Sequence, residues 1–122
     1  MTSLYDRLGG DFLAAIITEF YDRAFKDPLI AHLFWGFDQK HLTEMQIQFA
    51  SSMLGGPGPY RGKSLGQAHR QLKINQAHFG RRQVLMAEVL DEFQVDPDIK
   101  KQWLEREDRL KPLIVKGTPC NQ

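Results

Sequence analysis

Apolar residues in this chain recur at offsets of three and four, and no alternating β-branched run of useful length interrupts them. The pattern predicts an all-helical fold. After a Gly9-Gly10 break, Asp11 is positioned to cap a helix over 12–26 whose inward stripe is Leu13, Ile16, Ile17, Phe20, Tyr21 and Ala24. Asp27-Pro28 stops it. A connector over 29–37 carries Leu33, Phe34, Trp35 and Phe37, more aromatic surface than a loop needs, and is expected to pack over something large. Asp38 then caps a helix running to Leu54, with Leu42, Met45, Gln46, Phe49 and Met53 on one face.

Glycine and proline break the pattern from Gly55 to Ser64, a hinge that delivers His69 onto a short amphipathic stretch with Leu65, Ala68 and Leu72. A further helix is predicted over 79–93, burying Leu85, Met86, Val89, Leu90 and Phe93. Asp96 as cap and Pro97 at the first helical position start the last one, which should reach Val115 and present Ile99, Trp103, Leu110, Leu113 and Ile114. Pro112 is expected to kink or shorten it. One domain over 1–115 and a flexible tail over 116–122 follow.

Composition narrows the function classes. Sixteen basic residues against fifteen acidic ones leave a net charge of +1, too little surplus for binding nucleic acid through its phosphates. Pairs such as Lys100-Lys101 and Arg81-Arg82 read as solvated helix faces, and the acidic residues as solubility and capping groups. Charges interrupt every apolar stretch well short of the ~20 residues of a membrane span. The opening Met1 to Arg7 shows no signal-peptide character, and the single Cys120 can form neither an internal disulfide nor a cysteine zinc site. The expectation is a cytoplasmic protein with no membrane and no nucleic-acid partner.

Three polar side chains stand on apolar faces of three separate elements: Tyr21, Gln46 and His69. Each needs a partner if buried, since an unsatisfied hydroxyl or amide costs about 1–3 kcal/mol. They share one interior polar focus or each bonds locally, and a histidine in such a place is either a core residue or a metal ligand. Serine-nucleophile, phosphate-loop and His-Glu-x-x-His motifs are missing, and His32, His41 and His78 lack zinc spacing. A flat apolar cofactor carrying a metal would use all three at once, with imidazole on iron and Tyr and Gln donors for a gas bound opposite.

Taken in order, Leu4-Tyr5-Asp6-Arg7-Leu8-Gly9-Gly10, Phe20-Tyr21-Asp22-Arg23, Leu33-Phe34, Gly55-Gly56, Ala68-His69-Arg70-Gln71-Leu72 and His78-Phe79 span nearly the whole chain. In this order and spacing the sequence resembles the truncated haemoglobins, the first group most closely. The resemblance implies a two-over-two helical sandwich around haem b, with His69 as the proximal iron ligand and Phe34 stacked on the porphyrin. It also implies a distal pocket of Tyr21, Leu42, Met45 and Gln46, with Leu65 on the proximal haem face. Tyr60, Arg61 and Lys63 in the hinge are candidates for the haem carboxylates by location alone.

Such a protein would bind oxygen, nitric oxide and carbon monoxide at iron, as a monomer or weak homodimer. Nitric oxide dioxygenation or weak peroxidase turnover would be available to it, served by an external reductase because no flavin or nicotinamide motif exists here. Two rival readings come from other classes. One is a haem-free helical interaction module presenting Phe34, Trp35 and Phe37. The other is a gas sensor, for which this chain leaves no room for an output domain.

Overall fold

A computed structural model describes residues 2–57 and 74–115, so His69, Leu65, Tyr60, Arg61, Lys63 and the 116–122 tail lie outside the described residues. Among those described there is no strand. The helices are α1 (Leu4–Leu8), α2 (Gly10–Ala24), α3 (Gln39–Met53), α4 (Gln76–Glu92) and α5 (Pro97–Ile114), with a 3-10 turn at Ala31–Phe34. Helix α2 packs on α3 and α4, and α4 packs on α5.

The first long helix buries the stripe read from its spacing: Leu13, Ile16, Ile17, Phe20, Tyr21 and Ala24. Its start differs from expectation. Gly9, at φ 95°, stands at the cap position with no side-chain hydrogen bond, and Asp11 lies inside the first turn, where its charge still favours the helix N-terminus. Before it, α1 is a separate five-residue helix capped by the Ser3 hydroxyl, which accepts from the Asp6 N–H at 3.0 Å. Tyr5 N–H donates to the Leu54 carbonyl at 3.0 Å and so docks α1 on the end of α3.

On α3 the expected face splits in two. Thr43, Ala50 and the following Leu54 are the buried positions, whereas Leu42, Met45, Gln46, Phe49 and Met53 are only half-buried. Gln46, Phe49, Ala50 and Met53 line an interior space, although Ala50 also belongs to the core and Met53 packs against it. The helix stops at Met53, and Gly55 takes a positive φ of 87°, which a Cβ would resist. Arg106 Nη1 donates to the Met53 carbonyl at 2.7 Å, so α5 supplies a cation to the open end of α3.

The connector also departs from its predicted role. Leu33 and Phe34 turn inward, but Trp35 is 79% and Phe37 45% exposed, so two of the three aromatic rings stand largely in solvent, Trp35 meeting only the His32 ring edge-on at 6.4 Å among the described residues. Helix α4 starts at Gln76, three residues before the expected Phe79, because Asn75 and His78 form a reciprocal capping box. Helix α5 has the Asp96 cap and Pro97 start as expected, and Pro112 falls in its last turn. Leu113 is 58% exposed and belongs to no inward stripe. Trp103, Phe20, Leu13 and Ile16 form the fully buried centre.

Candidate functional site

Helices α2, α3, α4 and α5 surround a small cavity that is partly open to solvent. Tyr21 and Gln46, which stand on different helices, both line it, with Phe49, Met53, Phe79 and Trp103 as apolar wall. Leu42 and Met45 do not line this space; Leu42 packs against the core and Met45 is half-buried. Phe34 lines a second, partly open cavity with Ile30, Leu33, Ile74 and His78. Phe79, Arg82 and Ile114 wall both spaces, so the two are neighbours.

Aromatic packing fixes Tyr21. Its ring meets Phe20 edge-on at 4.8 Å and Phe34 edge-on at 6.0 Å, while Phe34 stacks on Phe25 at 4.8 Å. Such edge contacts contribute about 0.5–1.5 kcal/mol beyond area and hold the ring in one rotamer. Burial pushes the Tyr21 phenol up from its ordinary value, while the nearby charge of Arg82 pulls it part of the way back. Tyr21 therefore stays protonated and able to donate. The Gln46 amide has no hydrogen-bond partner among the described residues.

Two charged residues belong to this site that sequence reading placed on the surface. Arg82 Nη1 stands 2.9 Å from Glu107 Oε1, and Glu107 is 6% exposed. The contact joins charges without hydrogen-bond geometry, and Glu107 Oε1 keeps unused acceptor capacity. Trp103 Nε1 donates to the other oxygen, Oε2, at 2.9 Å. The Arg82 guanidinium also covers the Phe20 ring at 4.8 Å. Burial works against its charge, but Glu107 and then Tyr21 outweigh it, so Arg82 remains a cation.

A signal for both was available in the spacing. Phe79, Arg82, Met86, Val89 and Phe93 follow one helical stripe, and so do Ile99, Trp103, Glu107, Leu110 and Ile114. One charge of each sign interrupts two facing stripes. Neighbouring Arg81 is not a free surface cation either: its Nε and Nη2 donate to Asp27 Oδ1 at 3.1 and 2.7 Å, and Asp27 is 6% exposed.

His78 closes the α4 cap: its Nδ1 accepts from Asn75 N–H at 3.2 Å. Its ring lies 5.1 Å from that of His32. No group of three metal-ligating side chains occurs among the described residues, and the expected metal ligand, His69, lies outside them. No helix described is long and apolar enough to cross a membrane.

A wholly apolar occupant would leave Tyr21 and Gln46 without partners, and a wholly polar one would face Phe34, Phe49, Phe79 and Ile114 to no benefit. An apolar disc that presents a small polar ligand at its centre suits both sets. The described residues therefore fit haem.

Known proteins agree with that arrangement. The family described as bacterial-like globin matches residues 3–115. A group 1 truncated haemoglobin of Tetrahymena pyriformis is 33% identical over 78 residues, 63% of this chain and 64% of that relative's own length. One from Synechocystis is 31% identical over 91 residues, 74% of this chain and 73% of the relative. The crystal structure of the Tetrahymena pyriformis truncated haemoglobin in its Fe(III) form superposes with a TM-score of 0.88 at 25% identity, covering 94% of this chain and 99% of that one. Membership of such a family implies a haem cofactor and haem-based gas binding. The chain belongs to the bacterial-like globins and, among them, to the group 1 truncated haemoglobins, whose 2/2 helical fold it shares.

Proposed function

We propose that this chain is a cytoplasmic haem b protein that binds oxygen, with carbon monoxide and nitric oxide as competing ligands. The observation that carries this reading is the meeting of Tyr21 and Gln46, from two helices, in one cavity walled by apolar side chains. His69 is assigned the iron, Phe34 and Leu65 the porphyrin faces, and Tyr60, Arg61 and Lys63 the haem carboxylates. Leu42 and Met45 are assigned to the distal side by the resemblance alone.

Haem supplies the metal coordination of the gas; what the chain adds is selectivity. Oxygen draws negative charge when bound to ferrous haem and carbon monoxide stays nearly neutral, so a phenol donor and an amide donor favour the first. Tyr21 suits this role because burial keeps its proton in place, and Gln46 because its amide has no hydrogen-bond partner among the described residues. Turnover of oxygen and nitric oxide to nitrate would further require an external reductase, since the chain carries no nicotinamide or flavin motif.

Purified protein tests the reading directly. It should take up one hemin per chain, turn red, and shift its Soret band when reduced under carbon monoxide. His69→Ala should lose the proximal bond, and Tyr21→Phe should release oxygen at least roughly tenfold faster, the equivalent of one charge-assisted hydrogen bond. A chain that stays colourless with added hemin would overturn it.

A further inference from the structure

The cavity holds more polar capacity than a neutral diatomic gas can use. One phenol and one amide, from Tyr21 and Gln46, suffice to donate to oxygen, yet Arg82 lines the same cavity with a full positive charge and the five N–H donors of a guanidinium. Its partners among the described residues are the Glu107 carboxylate at 2.9 Å, in a contact without hydrogen-bond geometry, and the face of the Phe20 ring at 4.8 Å. Neither uses up those donors.

The ion pair is not symmetric about the cavity. Glu107 is 6% exposed and has its other oxygen held by the Trp103 indole at 2.9 Å, whereas Arg82 walls both neighbouring cavities and keeps 27% of its side chain exposed. Tyr21 registers the difference. Burial raises its phenol, and against that the positive charge of Arg82 counts for more than the negative charge of Glu107. The pair is neutral as a whole, but the potential it sets up where the phenol stands is positive.

We propose that this cavity takes a small inorganic monoanion such as nitrite as well as a neutral gas, and that Arg82 is the residue that selects for it by charge. Tyr21 and Gln46 supply donors, and the guanidinium supplies the countercharge that offsets the cost of placing an anion among Phe49, Phe79 and Ile114. Glu107 holds the cation in place and partly cancels it. The inference rests on the haem reading above, since anion and gas share one cavity.

Hemin-loaded ferric protein titrated with sodium nitrite, and followed at the Soret band, supplies the test, with carbon monoxide binding to the ferrous form as the neutral comparison. Arg82→Gln/Glu107→Gln removes both charges together, so that neither is left buried alone. Its nitrite affinity should fall about tenfold relative to its carbon monoxide affinity. Glu107→Gln alone keeps the cation, removes its counterweight and retains an acceptor for the Trp103 indole, so nitrite affinity should rise by a similar factor. Arg82→Lys, which preserves the charge, should stay near the parent.

Opposite changes from the two variants cannot come from loosened packing, which would weaken binding in both. Should the double variant fail to fold, the gain in Glu107→Gln decides. Unchanged nitrite affinity in the double variant, an equal loss for nitrite and carbon monoxide, or a loss in Glu107→Gln would overturn the proposal while leaving the haem reading intact. Failure of the parent to take up hemin would instead overturn that reading.

Discussion

Glu107 is a carboxylate with an indole N–H on one oxygen and a guanidinium beside the other, held at 6% exposure. Breaking such a set from one side costs more than the intact set contributes, because the remaining partner is left without its counterpart. Trp103→Phe removes the donor to Oε2 and should lower stability by about 1–3 kcal/mol, read from a denaturant titration with unchanged slope. Glu107→Leu leaves the Arg82 cation beside Phe20 without its carboxylate and should cost about 2–3 kcal/mol, the 27% exposure of the Arg82 side chain limiting the penalty. Sequence could place Arg82 and Glu107 on apolar stripes, but pairing them needs the register between two helices, which spacing within one helix does not contain. Tyr21 and Gln46 were legible because each is the odd polar member of an apolar stripe and each carries its chemistry alone.

At the level of single helices, caps set the boundaries more than apolar periodicity does. Asp38 and Asp96 cap α3 and α5 as expected, accepting from Lys40 N–H at 3.2 Å and Asp98 N–H at 2.8 Å. Asn75 caps α4 through a bond to His78 N–H at 2.8 Å, with the His78 imidazole answering in place of the usual Glu or Gln. An imidazole in that position is an uncommon cap, and apolar spacing, which begins at Phe79, does not reveal it. Asn75→Ala should cost about 1 kcal/mol, measured as a fall in Tm, while Asn75→Asp should be close to neutral. Helix α3 shows the converse: its spacing marks Gln46, Phe49 and Met53, which line an interior space, but passes over Thr43 and Ala50, which are the buried positions.

Across the whole molecule, Asp27 at the end of the first long helix is bound twice by Arg81 of α4, and it also accepts from Leu29 N–H at 3.1 Å. The Arg81 hydrogen bonds hold the Asp27 carboxyl below its ordinary range despite burial. A folded-state pKa below the unfolded one stabilises above the ordinary carboxylate range, and this is lost as pH falls through the lowered value. Asp27→Asn should thus lower Tm at neutral pH, and the gap from the parent should close on acidification. Helix content and order were readable from sequence; the clamp was not, because Asp27 reads as a helix stop and Arg81 as a surface charge until the two helices are brought together. The assembled chain also places its two tryptophans in opposite surroundings, Trp103 fully buried at the cavity wall and Trp35 79% exposed on the connector. Before hemin is added the protein accordingly carries two separable optical probes: iodide should quench the red-shifted emission of Trp35 and leave the blue emission of Trp103 untouched. Solvent contact of the connector and integrity of the core can then be followed side by side in one unlabelled sample.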